Sequence, residues 1–132
     1  RDEDLTPGMI RLLSVDNPLV VPVGKKVRVL TTSTDVIHSF FIPSLGVQRY
    51  AIPGRTIETW LTVAKPGMYY GQCNQICGVD HSRMPIGVKA VTEDEYKAWL
   101  AQAKKSAGLL PSEGGARQVL AAAGEAANGV QR

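Results

Sequence analysis

Cys73, Cys77, His81 and Met84 put two thiols, an imidazole and a thioether into twelve residues, within the segment Cys73-Asn74-Gln75-Ile76-Cys77-Gly78-Val79-Asp80-His81-Ser82-Arg83-Met84. Both cysteines of the chain are here, with one of its two histidines and one of its three methionines. Soft sulfur together with imidazole favours copper or zinc over magnesium or calcium. The second histidine, His38, lies 35 residues upstream in an apolar run and is the candidate to complete a metal site.

The residue types allow several arrangements. A mononuclear blue-copper site takes one Cys, two His and a weak Met, which leaves one cysteine over. Two thiolates four residues apart can instead bridge two ions, each completed by one histidine and one weak axial donor. Met84 then supplies one axial position and a loop carbonyl the other. A closed structural zinc site built from Cys73, Cys77, His81 and His38 is chemically sound as well. A Cys73–Cys77 disulfide leaves His81 and Met84 without a purpose. Spacing alone leaves copper and zinc open. Taken singly, His38 reads as a core histidine and Met84 as packing, which is the reading given to Met9 and Met68.

Such a loop needs a rigid frame. Turn signals recur at short intervals, at Pro7-Gly8, Asp16-Asn17-Pro18, Gly24, residues 43–46, Pro53-Gly54 and Pro66-Gly67, the pattern of a sandwich or barrel of short strands. Residues 26–32 and 57–63 alternate with a period of two, with Ile57, Leu61 and Val63 on one face and Glu58 and Thr62 on the other. Residues 9–15, 19–23 and 86–91 are further strand candidates. Residues 36–42 are apolar on both faces and predict an inner strand with His38 and Phe40 on one side. Tyr69-Tyr70 ends one strand and Ile86 opens the next, so the metal-type loop joins two strands. Thr92 and Glu95 form a capping box, and Tyr96, Trp99, Leu100 and Ala103 make a stripe. A helix to about Ser106 is expected to dock that stripe on the sandwich. Two domains of behaviour follow: 1–107 as the folded unit, and 108–132 as an Ala/Gly-rich tail, mobile or partner-dependent.

The bulk numbers agree with one globular domain. The 132 residues are 44% hydrophobic and 20% charged, with net charge +3, ordinary values for a folded domain. The basic side chains are scattered, not gathered with aromatics, so nucleic-acid binding is not expected. Two cysteines are too few for a disulfide framework. No window is apolar for long enough to span a bilayer, and the chain begins at Arg1 with no signal-peptide pattern. A start of this kind is open to a processed or excised product, so the lack of a spanning window here says little about the native protein.

The segment from residue 36 to Met84 resembles subunit II of haem-copper cytochrome c oxidase, in the part that carries the binuclear copper centre CuA. The matching pieces are His38-Ser39-Phe40, Pro43-Ser44-Leu45-Gly46, Ala51-Ile52-Pro53-Gly54-Arg55, Tyr69-Tyr70-Gly71-Gln72-Cys73, and Cys77-Gly78 through His81-Ser82 to Met84-Pro85-Ile86. Leu12-Leu13-Ser14-Val15-Asp16-Asn17 fits upstream, so the likeness covers about residues 4–100. Nitrous oxide reductase shares the loop pattern, but the flanking segments are similar to the oxidase.

The resemblance implies an all-β, cupredoxin-like Greek-key sandwich or barrel with one C-terminal helix and two copper ions at one end. By matching position, Cys73 and Cys77 would bridge the coppers, His38 and Met84 would complete one ion, and His81 with the main-chain carbonyl of Gln75 the other. It implies an electron relay from cytochrome c to haem in oxidase subunit I, at the periplasmic or intermembrane-space face of a respiratory membrane. An N-terminal membrane anchor would precede this chain. Arg55 would be a candidate for electron exit, and Asp35, Glu58 and Asp80 candidates for docking basic cytochrome c. The alternative from another class is a zinc-stabilised binding module.

Three features depart from the family pattern. Gln75 stands where a glutamate is usual. Its carbonyl serves copper equally, but the neutral side chain is a poorer ligand for a hard cation, which counts against a magnesium contact at the subunit I boundary. Tyr50 stands where an aspartate is usual. The aromatic strand with the tryptophan that receives the electron is not in this sequence, and Trp60 and Trp99, which do not match it, read as core.

Overall fold

The computed structural model describes residues 5–108. The expected tail falls almost wholly outside them. Seven strands and one helix follow in order: β1 (Leu19–Pro22), β2 (Lys26–Thr31), β3 (His38–Ile42), β4 (Val47–Ala51), β5 (Ile57–Thr62), β6 (Gly67–Gln72), β7 (Pro85–Val91) and α1 (Glu93–Ser106). They form three pieces of sheet. β7 lies between β1, which runs parallel to it, and β6, which runs antiparallel. β2 pairs with β5 and β3 with β4, both antiparallel. The sandwich is thus built as expected, but among the described residues its strands do not close into a barrel.

One core joins the three pieces. Val21 of β1, Val88 and Ala90 of β7, Leu61 of β5, Ile42 of β3 and Val47 of β4 are buried together with Val63. Most are β-branched or otherwise compact, which suits a pleated surface with one buried face. Period-two patterning accounts for β5, where Thr59 and Leu61 point inward while Glu58, Trp60 and Thr62 point out.

Several expectations are corrected. Residues 9–15 form turns, not a strand. Ser14 Oγ accepts a hydrogen bond from the Ile10 N–H at 2.7 Å, and Leu12 takes the left-handed φ of 62°, so local hydrogen bonding outweighs the apolar run there. β4 went unread because Gln48, Arg49 and Tyr50 are exposed in succession and leave no alternation to see. β3 is not an inner strand. Among the described residues it is paired only with β4, and its apolar side chains reach the core and β6 by packing. Trp60 and Trp99 are not core residues, at 45% and 39% exposure, and Met9 and Met68 are exposed too. Lys26 Nζ stands 4.8 Å from the centroid of the Trp60 ring, a cation–π contact at the surface.

The chain divides by its internal contacts after Tyr96, inside α1. The helix begins as anticipated: Glu95 Oε2 accepts from the Thr92 N–H at 2.9 Å and from the Thr92 hydroxyl at 2.8 Å. The residues of α1 are exposed or half-buried, with Tyr96, Leu100 and Ala103 of the stripe among the half-buried ones.

Candidate metal centre

Two features of the sandwich place the loop against β3. The first is Gly71, near the end of β6. A Cβ there would lie 2.0 Å from the Phe41 carbonyl oxygen and 2.9 Å from Ile42 Cγ1. β6 therefore crosses β3 at a distance only glycine permits, and Cys73, two residues on, arrives beside the start of β3, where His38 stands. The second is closure of the loop. Cys73 N–H donates to the Met84 carbonyl at 3.2 Å, which pins its two ends. Within it, His81 N–H donates to Gly78 O and Arg83 N–H to Asp80 O, making one 3-10 turn at His81–Arg83. Gly78 has φ 127°, a value L side chains rarely adopt.

The predicted donors converge on the two sulfurs. Cys73 Sγ and Cys77 Sγ are 3.8 Å apart and are free thiols. Cys77 Sγ lies 3.5 Å from His81 Nδ1 and 3.4 Å from Met84 Sδ. Cys73 Sγ lies 3.2 Å from the Gln75 carbonyl oxygen. The ligand atoms of His38, Cys73 and Cys77 are all within 4.8 Å of one another. All six donors named from the sequence thus stand in one cluster.

The electrostatics suit a cation. Nδ1 of His38 is buried and has no hydrogen-bond partner, an arrangement that costs about 1–3 kcal/mol unless something occupies it. Burial opposes ionisation of the Cys73 thiol, but hydrogen bonds with the backbone of Ser39 and Gln75 and the His81 and Cys77 side chains outweigh it and bring the pKa to about 7. Burial and then the neighbouring Cys73 push the Cys77 thiol up. Two thiols that resist joint ionisation, an orphaned imidazole nitrogen and a thioether fit a thiophilic metal that supplies the missing charge. A thioether in the cluster favours copper over structural zinc, whose usual ligands are Cys, His and carboxylate.

The remaining sequence candidates have no hydrogen bond or ion pair with either sulfur among the described residues. Arg55 is exposed, its N–H closing the Pro53-Gly54 turn onto the Ile52 carbonyl at 3.2 Å. Glu58 is ion-paired with Arg28 at 2.9 Å. Asp80 is exposed beside the 3-10 turn. Asp35 is the residue whose place the sequence reading missed: its Oδ1 is 2.8 Å from His38 Nε2. The i, i+3 spacing outside a helix carried no signal for that contact.

Residues 1–91 match the family described as cytochrome c oxidase subunit II, periplasmic domain. The chain belongs to that family. Among curated relatives, the probable cytochrome c oxidase subunit 2 of Rickettsia bellii is 50% identical over 106 residues, covering 80% of this chain and 39% of the relative. Cytochrome c oxidase subunit 2 of Metridium senile is 52% identical over 97 residues, covering 74% and 39%. The chain therefore spans little more than a third of the length of these subunit II relatives. Among solved structures, the periplasmic domain of subunit II of cytochrome oxidase from Bradyrhizobium japonicum superposes with a TM-score of 0.72 at 51% identity, covering 79% of this chain and 73% of that one. A second match, at TM-score 0.66 and 49% identity over 77% and 72%, is a mixed disulfide intermediate between a thioredoxin-like protein and subunit II of cytochrome c oxidase. The match confirms the cupredoxin-like sandwich expected of this family. No helix among the described residues is long and apolar enough to cross a membrane.

Proposed function

We propose that this subunit II domain binds two copper ions and relays single electrons from cytochrome c to haem in oxidase subunit I. The observation that carries the reading is the cluster itself, with two thiols 3.8 Å apart and an imidazole, a thioether and a carbonyl each within 3.5 Å of one of them. Cys73 and Cys77 would hold both ions, with His38 and Met84 completing the set for one and His81 and the Gln75 carbonyl for the other. When bound, the pair supplies a one-electron store spread over two metals and two sulfurs.

The chain's own part is to hold those donors still. β3 fixes His38, the Gly71 crossing fixes Cys73 against it, and the Cys73–Met84 backbone bond fixes the far end of the loop. A frame that needs little rearrangement on metal binding also limits movement between redox states. Arg55 is proposed as the exit towards subunit I, and Asp35, Glu58 and Asp80 as docking carboxylates for cytochrome c. Of these, Asp80 has no ion pair among the described residues. Membrane attachment through a preceding segment belongs to the same reading. Neutral Gln75 offers no carboxylate for magnesium.

Thiols this close also require a reductant, because the same pair oxidised to a disulfide cannot take metal. The relative captured with a thioredoxin-like protein supports a dithiol partner for this chain as well. Its thiolate would attack one sulfur of a Cys73–Cys77 disulfide, its second thiol would resolve the mixed disulfide, and two thiols would be left here.

Elemental analysis tests the copper reading: two coppers per chain are expected, against one zinc for a zinc-stabilised module. One unpaired electron shared by two equivalent copper nuclei gives a multi-line hyperfine pattern. A four-line pattern, or a disulfide with nothing bound, overturns the proposal.

A further inference from the structure

The turn before β3 brings a carboxylate to the back of His38. Asp35 Oδ1 lies 2.8 Å from His38 Nε2. A carboxylate only accepts hydrogen bonds, so Nε2 carries the proton. The neutral ring then has its lone pair on Nδ1, the atom that is buried without a partner on a residue clustered with both sulfurs.

Asp35 is itself held. Ser33 Oγ is 2.7 Å from Asp35 Oδ1 and accepts from the Asp35 N–H at 3.3 Å. Ser33 in turn sits in an isolated parallel bridge with Pro53. A chain of contacts thus runs from Pro53 through Ser33 and Asp35 to the imidazole. His81, by contrast, has no carboxylate partner among the described residues; its Nδ1 faces Cys77.

We propose that Asp35 is a positioning residue for the metal centre, locking His38 in the tautomer and orientation that present bare Nδ1 to Cys73 and Cys77, and making the His38 half of the centre richer in electrons than the His81 half. The inference rests on the copper reading above. It differs from a docking role for Asp35, because its effects belong to the isolated chain. A carboxylate behind a metal-bound imidazole raises its basicity and fixes its plane, and loss of such a partner typically costs about 10–100-fold in metal affinity.

The test uses the 132-residue chain loaded with copper, without cytochrome c, in the variants Asp35→Asn, Asp35→Ala and Ser33→Ala. Copper affinity is measured by chelator competition, together with the reduction potential and hyperfine pattern. Asp35→Ala is expected to lose about 10–100-fold in affinity, to shift to higher potential as the oxidised ions lose electron donation, and to show altered histidine coupling. Asp35→Asn should shift the same way by less, and Ser33→Ala by less again. Asp35 is 65% exposed in its side chain, so folding of the metal-free variants should be unchanged. Unaltered affinity, potential and spectrum in both Asp35 variants, with a slower reaction with cytochrome c, overturns the inference and leaves docking. A wild-type chain that takes up no copper pair overturns the copper reading, and this inference with it.

Discussion

Cys77 is where the donors meet: its sulfur is the neighbour of Cys73, His81 and Met84 alike. Met84 differs from the others in chemistry. A thioether is a weak donor that tunes a copper site more than it holds one. Met84→Leu should therefore keep both coppers, by elemental analysis, while voltammetry shows a shifted potential; loss of all metal would contradict a weak axial role. These residues were legible in the sequence because five of the six donors sit in a single loop, where spacing alone makes them neighbours. The sixth, His38, was a candidate by residue type alone, and its place beside the loop needed the fold; the choice of the Gln75 carbonyl came only from the family likeness. Asp35 was read as a surface charge because nothing in a non-helical i, i+3 pair announces a hydrogen bond. Trp60 reads as core from its place in a strand, without regard to which face it takes. Its parity with Glu58 and Thr62 on β5 already put it on the outward face.

At the level of elements, the crossing of β6 over β3 is the contact on which the site depends. Gly71→Ala would press a methyl group onto the Phe41 backbone, where no side-chain rotation relieves it. The expected cost is about 1–3 kcal/mol, read by denaturant unfolding. Copper uptake should weaken too, since Cys73 and His38 would be pushed apart. The start of α1 is a separate test. Thr92→Ala removes the cap and should cost about 1 kcal/mol of helix stability.

The cap also gives a pH dependence. The Thr92 N–H, and next its hydroxyl, hold the Glu95 carboxyl below its ordinary pKa of 4.5. A depressed carboxyl contributes stability above that ordinary value and loses it as pH falls through the folded one. Acidification below about 4.5 should thus remove somewhat more helical circular dichroism from the wild type than from Thr92→Ala, which keeps the main-chain bond to Glu95 and loses only the hydroxyl's. An equal loss in both would deny the cap its part. The capping box was legible because its signal is local. β4 was not, since a strand with three exposed residues in a row is made by its pairing with β3.

For the molecule as a whole, charge gives little long-range guidance. Residues 1–105 carry 13 basic and 10 acidic side chains, and of the three carboxylates proposed for docking Asp35 and Glu58 already have partners of their own. Electrostatically steered association falls steeply with ionic strength. A shallow salt dependence of the reaction with cytochrome c is expected here, and a steep one would show a focused acidic face.

The parallel pairing of β1 with β7 sets a polarity for the domain. β7 starts directly after Met84, and β1 starts beside it at Leu19 opposite Val88. Gln72 Nε2 donates to Leu12 O at 3.1 Å, and Leu5 shares a surface hollow with Arg83 and Pro85. Among the described residues upstream of β1, Leu5 and Leu12 thus lie at the end of β7 that carries the sulfurs. A bulky group attached at Leu12 would thus stand beside the ligand loop and hinder its uptake of metal.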